Sequence, residues 1–191
     1  MGISTFIFLG IIVLAAGYSI IIYNNLVALK HRVAKAWANI DILLKQRHDE
    51  LPKLVETCKQ YMEYEQETLE KIILARNSVS SARERQDIEA LGKAETQLRS
   101  SLSSLFALAE SYPDLKANDS FQHLQARISD LENGIADRRE LYNDAVNLNN
   151  IRIEQFPDVL IARFFAFKDF ELLEFSEEEK ADVNMRELFS R

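Results

Sequence analysis

The sequence predicts an all-α protein whose N-terminal transmembrane helix continues into an antiparallel, up-and-down four-helix bundle. Three observations indicate this fold class. A stretch of twenty residues near the N-terminus is almost purely apolar, and apolar residues then recur at steps of three and four through most of the chain. The 191 residues include only 5 glycines and 3 prolines. This is too few for an all-β chain, which needs a turn about every 8–12 residues.

Composition also excludes several classes of protein. The net charge of −7 argues against nucleic acid as a partner, because phosphate binding requires a basic surface. A single cysteine cannot form an intramolecular disulfide or supply a cysteine-rich zinc site. The chain is therefore not a disulfide-stabilised secreted domain.

The apolar stretch is predicted to be a membrane anchor. Residues 3–22 read ISTFIFLGIIVLAAGYSIII and contain no ionisable side chain except Tyr18. A helix of this length spans about 30 Å, the thickness of a bilayer's hydrocarbon core. A cleaved signal peptide is the alternative, but it requires a basic segment that Met1 and Gly2 do not provide. We therefore expect an uncleaved anchor that contacts the lipid bilayer through residues 3–22.

The distribution of basic residues predicts the orientation of the anchor. No lysine or arginine precedes it, whereas Lys30, Arg32 and Lys35 follow it closely. The positive-inside rule then places the N-terminus outside and the remaining chain in the cytoplasm. The expected location is the cell (inner) membrane, crossed once.

The rest of the chain is predicted to form four helices with coiled-coil-like packing. Proline and polar residues mark the expected breaks. The first helix is expected to end near His48, before a turn at 49–52, because Pro52 suits the first turn of a new helix. The second helix is expected to end in the polar stretch 78–86, and the third runs from Ile88 to Ala109. The sequence Tyr112-Pro113-Asp114 marks the next turn, and the fourth helix covers 118–155.

These helices imply a division of the chain into four parts. They are the anchor (1–22), a cytoplasmic bundle (23–157), a phenylalanine-rich segment (158–175) and an acidic tail (176–191). In an up-and-down arrangement, the turns at 49–52 and 112–118 lie far from the membrane. The phenylalanine-rich segment lies close to it.

Several charged residues fall where the apolar pattern predicts core positions. A functional interpretation is a buried polar network that binds a ligand, and a structural one is a set of ion pairs that fix helix register. The structural interpretation is favoured, because no histidine or cysteine joins the set as a metal ligand. The candidate network comprises Glu65, Arg76, Glu132 and Arg139, and Glu95 also interrupts the apolar stripe of the third helix.

The region 156–175 is unusually aromatic, with six of the 11 phenylalanines. It could dock in the membrane interface, bind a membrane partner or cap the bundle. Its acidic residues outnumber Arg163 and Lys168, so anionic lipid is a poor match. Packing against the bundle or against a second protein chain is favoured, with Phe164, Phe165 and Phe167 as candidate contacts.

The search for catalytic chemistry gives no candidate. There is no glycine-rich phosphate loop, and the three histidines stand in neither a HExxH motif nor a Glu-x-x-His pair. The sequence therefore predicts neither an enzyme nor a cofactor or metal site.

The chain resembles the LemA family of bacterial membrane proteins over roughly residues 20–175. The matching motifs include YNNLV (23–27), WANID (37–41), RHDELPKLVE (47–56), YPDLKAN (112–118) and the dipeptides at 142–143 and 156–157. Two positions depart from the family pattern. Tyr64 stands where histidine is frequent, and Ala166 stands where glycine usually precedes Phe167. The resemblance implies a single-pass protein with an outside N-terminus and a cytoplasmic helical bundle, and it implies no catalytic residues.

The expected function is a non-enzymatic, membrane-anchored scaffold or adaptor that binds other membrane or cytoplasmic proteins. The alternative is a self-assembling, membrane-organising protein that forms homo-oligomers at the bilayer. An enzyme or metal carrier that uses the charged network is a third, less favoured hypothesis. The loop at 112–118 is the expected partner surface, because a fixed loop on a helical scaffold can present a binding site. Its candidate residues are Tyr112, Pro113, Asp114, Leu115, Lys116 and Asn118.

Overall fold

The computed structural model describes residues 2–174, and these form helices and connecting segments without a β-strand. The acidic tail predicted at 176–191 and the last residue of the phenylalanine-rich segment lie outside the described residues. The helices are α1 (Ile3–Lys59), α2 (Gln66–Arg85), α3 (Ile88–Ala109), α4 (Pro113–Lys116), α5 (Asp119–Glu154) and α6 (Asp158–Phe164). The all-α prediction is therefore confirmed for this part of the chain, as is the long apolar N-terminal helix.

The chain divides into two compact units. Of the described residues, the first contains 2–40 and 138–172, and the second contains 41–137 and 173–174. Both α1 and α5 contribute to both units.

The turn predicted at 49–52 is wrong, because α1 continues through it to Lys59 with Pro52 inside the helix. A proline lacks the N–H that would bond to the carbonyl four residues earlier, here that of His48. The Arg76 Nε of α2 donates to this carbonyl at 2.9 Å and so satisfies it. Leu51 before the proline and Leu54 and Cys58 after it are fully buried, which keeps the helix in the core.

The second predicted break is confirmed, because α2 ends at Arg85, within the stretch 78–86. Residues 78–85 are helical, because Val79 and Ala82 are buried and continue the stripe of α2. Gln86 ends α2 in the left-handed conformation (φ 54°), and Asp87 caps α3 by accepting from the Ala90 N–H at 2.9 Å. Two residues thus join α2 and α3 in a tight helical hairpin.

The helix predicted at 118–155 is confirmed as α5. Asn118 precedes it, and its Oδ1 accepts from the Phe121 N–H at 3.0 Å. This contact satisfies one of the free donors in the first turn.

A buried apolar cluster in the first unit joins α1 to α6. Ile22 and Leu26 of α1 pack with Ala162 of α6, while Ile153, Ile161 and Phe167 pack against them. Helix α6 therefore packs against the turn of α1 at which the apolar stretch of α1 ends.

The return segment (residues 165–172) follows α6 and is held to α5 by side-chain contacts with its backbone. The Asn150 side chain donates to the Phe170 carbonyl at 2.9 Å and accepts from the Phe170 N–H at 3.0 Å. The Tyr142 hydroxyl donates to the Glu171 carbonyl at 3.0 Å. Ala166 has a φ of 54°, a conformation that favours glycine, which explains why glycine suits this position.

Gly92 in the second unit permits a close approach of the chain. A Cβ at this position would lie 3.0 Å from the carbonyl oxygen of Glu174. The buried Leu173 side chain lies beside the same glycine. A larger residue at position 92 would displace this part of the chain.

Candidate functional site

Two turns of the second unit meet and form a tyrosine-rich surface. The first turn connects α1 to α2 and contains Tyr61 and Tyr64, and the second contains Tyr112. The Asn118 Nδ2 donates to the Tyr61 hydroxyl at 3.1 Å, and the Tyr112 hydroxyl lies beside the Glu65 carboxylate. We name Tyr61, Tyr64 and Tyr112 the tyrosine end.

The contact with Glu65 also keeps the Tyr112 phenol protonated. The hydrogen bond to Glu65 raises the pKa of Tyr112, and burial and the carboxylate charge add to this effect. Tyr112 is therefore a neutral hydrogen-bond donor at physiological pH. Within residues 2–174, no hydrogen bond holds the Tyr64 side chain in place, and 90% of its surface is exposed.

The structure separates the predicted loop residues into accessible and structural ones. Pro113, Asp114 and Lys116 are exposed, and Tyr112 is half-buried. Lys116 forms an ion pair with Glu110. Leu115, in contrast, is fully buried, and Asn118 is engaged in capping α5 and in binding Tyr61. Their side chains therefore hold the loop in place.

A groove of 770 Å³ lies beside this surface, between the end of α1 and the start of α2. Apolar side chains form much of it, while Lys59, Glu63 and Glu70 supply charges. Such a combination suits an amphipathic peptide. The residues that line the groove are Val55, Lys59, Met62, Glu63, Gln66, Leu69, Glu70 and Ile73.

A buried ionic cluster lies in the core of the second unit. Arg47 of α1 is only 1% exposed, and its two terminal nitrogens contact Glu95 of α3 and Glu132 of α5. The Arg99 Nε reaches the second oxygen of Glu132 at 3.3 Å. Two cations thus balance two carboxylates, and the cluster links three helices.

The electrostatics of the cluster keep Arg47 charged. Burial alone lowers the pKa of the Arg47 guanidinium, but the charges of Glu95 and Glu132 and their hydrogen bonds outweigh burial and raise it. A compensated cluster of this kind offers no unbound carboxylate as a general base. It is suited to fixing the positions of helices.

The four residues predicted as one polar network occupy different places. Glu132 belongs to the Arg47 cluster. Arg76 donates to the His48 carbonyl, and Glu65 binds Tyr112. Arg139 is buried in the first unit.

Sequence reasoning did not identify Arg47 as a core residue, although a signal was present. Arg47 stands three residues after Leu44 and four before Leu51, on the apolar stripe of α1. A charge at such a position predicts an ion pair inside the bundle. Glu95, in contrast, was predicted at a core position, since it stands between Leu91 and Leu98 of α3, and it is buried.

The predicted phenylalanine contacts all belong to the first unit. The Phe165 ring lies 4.6 Å from that of Tyr23, and the Phe167 ring lies 5.9 Å from it, both measured between centroids. Phe164 contacts Phe165 but is otherwise exposed. Phe164 is therefore the most accessible of the three.

Within residues 2–174, no group of three histidine, cysteine or carboxylate side chains could hold a metal ion. Cys58 is buried, and burial raises its pKa to about 12. A thiol with this pKa is a poor nucleophile near neutrality, because the thiolate is the reactive form.

Helix α1 is long and apolar enough to cross a membrane, and only 6% of its most apolar stretch is buried. This is the expected composition of a span that faces lipid. Length and composition therefore favour membrane association.

The chain is similar to several known proteins. Protein LemA of Metamycoplasma hominis is 27% identical over 98% of this chain and 86% of its own length. Magnetosome protein MamQ 2 of Paramagnetospirillum magneticum is 34% identical over 80 residues, and MamQ of Magnetospirillum gryphiswaldense is 30% identical over the same length. These 80 residues are 42% of this chain and only 29% of each magnetosome protein. Residues 36–186 match the model of the LemA family, and the chain therefore belongs to that family.

Proposed function

We propose that this LemA-family protein is a non-enzymatic, membrane-anchored scaffold that binds another protein through the tyrosine end. The observation that carries the proposal is that the Asn118–Tyr61 hydrogen bond joins the two turns, with the Glu65 carboxylate beside Tyr112, while Tyr64 is left exposed. Tyrosine is enriched at protein interfaces because its large ring loses little conformational freedom on binding. A surface that is already fixed also costs less entropy to bind.

The proposal includes a topology. Residues 3–22 cross the cell membrane with the N-terminus outside, and the remaining chain is cytoplasmic. The basic residues after the span support this orientation. Contacts of α1 with α2, α3 and α5 in the second unit support an antiparallel four-helix bundle.

The groove beside the tyrosine end suggests the chemistry of the partner. Its apolar lining includes Met62 and Leu69, and its exposed charges include Lys59, Glu63 and Glu70. A partner helix with an apolar face and mixed flanking charges fits such a surface. The exposed Tyr64 would cover one end of that helix.

Site-specific photo-crosslinking in cells tests the scaffold proposal. A benzophenone amino acid replaces Tyr64 in the full-length protein, and a matched control carries it at Ile42, another exposed position of the second unit. We expect a discrete adduct with another protein from position 64 and none from position 42. Adducts of equal yield at both positions, or none at position 64, would contradict the proposal.

A second candidate function is self-assembly at the bilayer. Three exposed apolar residues of α5, Leu141, Leu148 and Ile151, lie in the first unit. Exposed apolar surface of this kind favours association between copies. Light scattering in mild detergent would then give a multiple of the monomer mass, and Leu148→Glu would reduce it to the monomer.

A further inference from the structure

Two large apolar residues of α6 are exposed, and a third stands just before the helix. Leu160 is 59% exposed, Phe164 is 81% exposed, and Phe156, which precedes the helix, is 80% exposed. Leu160 and Phe164 are four residues apart in α6 and therefore lie along one side of it. We name the three residues the α6 stripe.

The opposite side of α6 is buried in the first unit. The helix therefore cannot rotate so as to bury the α6 stripe instead. Ala162 is buried against Ile22 and Leu26. Asp158 is also buried, and its carboxylate pairs with Arg152 at 2.9 Å. Turning α6 over would expose this cluster and separate the buried carboxylate from its partner, which is costly.

The position of α6 along α1 indicates what covers the stripe. Ala162 packs against Ile22, the last residue of the apolar stretch, and against Leu26, which lies about 6 Å further along the helix. The polar layer on each side of a bilayer is roughly 5–8 Å thick. If residues 3–22 span the membrane, α6 therefore lies at the depth of this layer.

The cleft beside α6 is lined by more basic than acidic side chains. In the sequence of this region, acidic residues outnumber basic ones, and Asp169, Glu171 and Glu174 still outnumber Arg163 and Lys168 without Asp158. Asp158 does not contribute a surface charge, because it is buried and paired with Arg152. A neighbouring cleft of 650 Å³ is lined by Lys30, His31 and Lys168, with Asp169 as the acidic residue among its lining side chains.

We propose that the α6 stripe inserts into the interfacial layer of the membrane that α1 spans, so that α6 acts as a second lipid contact. This inference rests on the anchor in the proposed function. Insertion removes three large apolar side chains from water. It also places Lys30 and Lys168 near the lipid phosphates.

Tryptophan quenching by brominated lipids tests the inference in full-length protein reconstituted into phosphatidylcholine vesicles. Trp37 is the chain's single tryptophan, so Trp37→Phe removes the natural tryptophan fluorescence, and the other substitutions are made in this variant. Phe164→Trp reports on the stripe. Ile42→Trp is the control, because Ile42 is exposed and lies twenty residues, or about 30 Å, beyond Ile22 on the same helix. Phe8→Trp reports on the anchor.

We expect lipids brominated at carbons near the headgroup to quench Phe164→Trp at least twofold more than Ile42→Trp. If Phe8→Trp is quenched by deeply brominated lipid but Phe164→Trp resembles Ile42→Trp, the α6 inference is overturned and the anchor stands. If Phe8→Trp is also unquenched, the anchor fails and the inference fails with it.

Discussion

At the residue scale, the clearest feature is a fully buried arginine. Arg47 loses its hydration in the core, and only Glu95 and Glu132 compensate for this loss. A buried pair of this kind adds little net stability compared with apolar residues of similar size. Removing one partner, however, leaves an uncompensated buried charge.

Arg47→Met should therefore lower the free energy of unfolding by about 3–5 kcal/mol, because Glu95 remains buried without a cation. Denaturant titration of the detergent-solubilised full-length protein, followed by circular dichroism, measures this change. The matched control is Lys53→Met, which removes an exposed ion pair with Glu50 and should cost less than about 1 kcal/mol. Equal losses of unfolding free energy for the two variants would show that the Arg47 cluster contributes no more to stability than an exposed ion pair.

The triple variant Arg47→Met, Glu95→Leu, Glu132→Leu extends the same argument. It removes the charges together, and Arg99 is exposed enough to be hydrated without Glu132. We expect it to recover most of the stability that the single substitution loses. A triple variant as unstable as the single one would indicate that packing, and not charge, dominates at this site.

At the scale of elements, the continuity of α1 depends on a contact with α2. A proline inside a helix costs about 3 kcal/mol or more, partly because a carbonyl loses its donor. Here the Arg76 guanidinium supplies that donor to the His48 carbonyl. Burial and the nearby positive charge of Arg76 also lower the pKa of His48, with a further contribution from Arg83. A neutral imidazole is thus favoured beside the guanidinium.

A double-mutant cycle between positions 52 and 76 tests this dependence. Arg76→Ala should cost about 1–3 kcal/mol of unfolding free energy in the natural background, since it leaves the His48 carbonyl without a donor. Pro52→Ala restores a backbone N–H to that carbonyl, so Arg76→Ala should cost less in the Pro52→Ala background. Denaturant titration of the four proteins gives the coupling energy. An unchanged cost in both backgrounds would contradict the proposed role of Arg76.

The same contact explains why the helices could be predicted from sequence but one boundary could not. The apolar stripes of α3 and α5 follow from local spacing, and both helices occur where they were predicted. Pro52 is locally compatible with the start of a new helix. Its acceptance inside α1 depends on Arg76, which is 24 residues away and whose position only the tertiary structure defines.

The candidate site could likewise be predicted only in part from the sequence. The sequence Tyr112-Pro113-Asp114 marks its turn unambiguously, and the structure has α4 there. The turn with Tyr61 and Tyr64 could not be predicted, because its place depends on the true end of α1 at Lys59. Whether a loop residue is exposed also depends on packing, which is why Leu115 could not be distinguished from its neighbours.

At the scale of the whole molecule, orientation depends on charge asymmetry about one apolar stretch. Lys30, Arg32 and Lys35 follow it closely, and no basic residue precedes it. Transferring these cations across a bilayer is opposed, whereas the N-terminal segment, which has no lysine or arginine, can cross. The expected outcome is an outside N-terminus and a cytoplasmic second unit.

Cysteine labelling in spheroplasts tests this orientation, and the natural Cys58 does not interfere. Its burial and its pKa of about 12 make it unreactive towards maleimide in the folded protein. A membrane-impermeant maleimide should therefore label Gly2→Cys in sealed spheroplasts, whereas Tyr64→Cys should react only after detergent is added. The reverse pattern would invert the topology, and labelling of both positions in sealed spheroplasts would exclude a single span between them. Cys58 itself should react only after unfolding, which confirms in the same experiment that the labelled protein was folded.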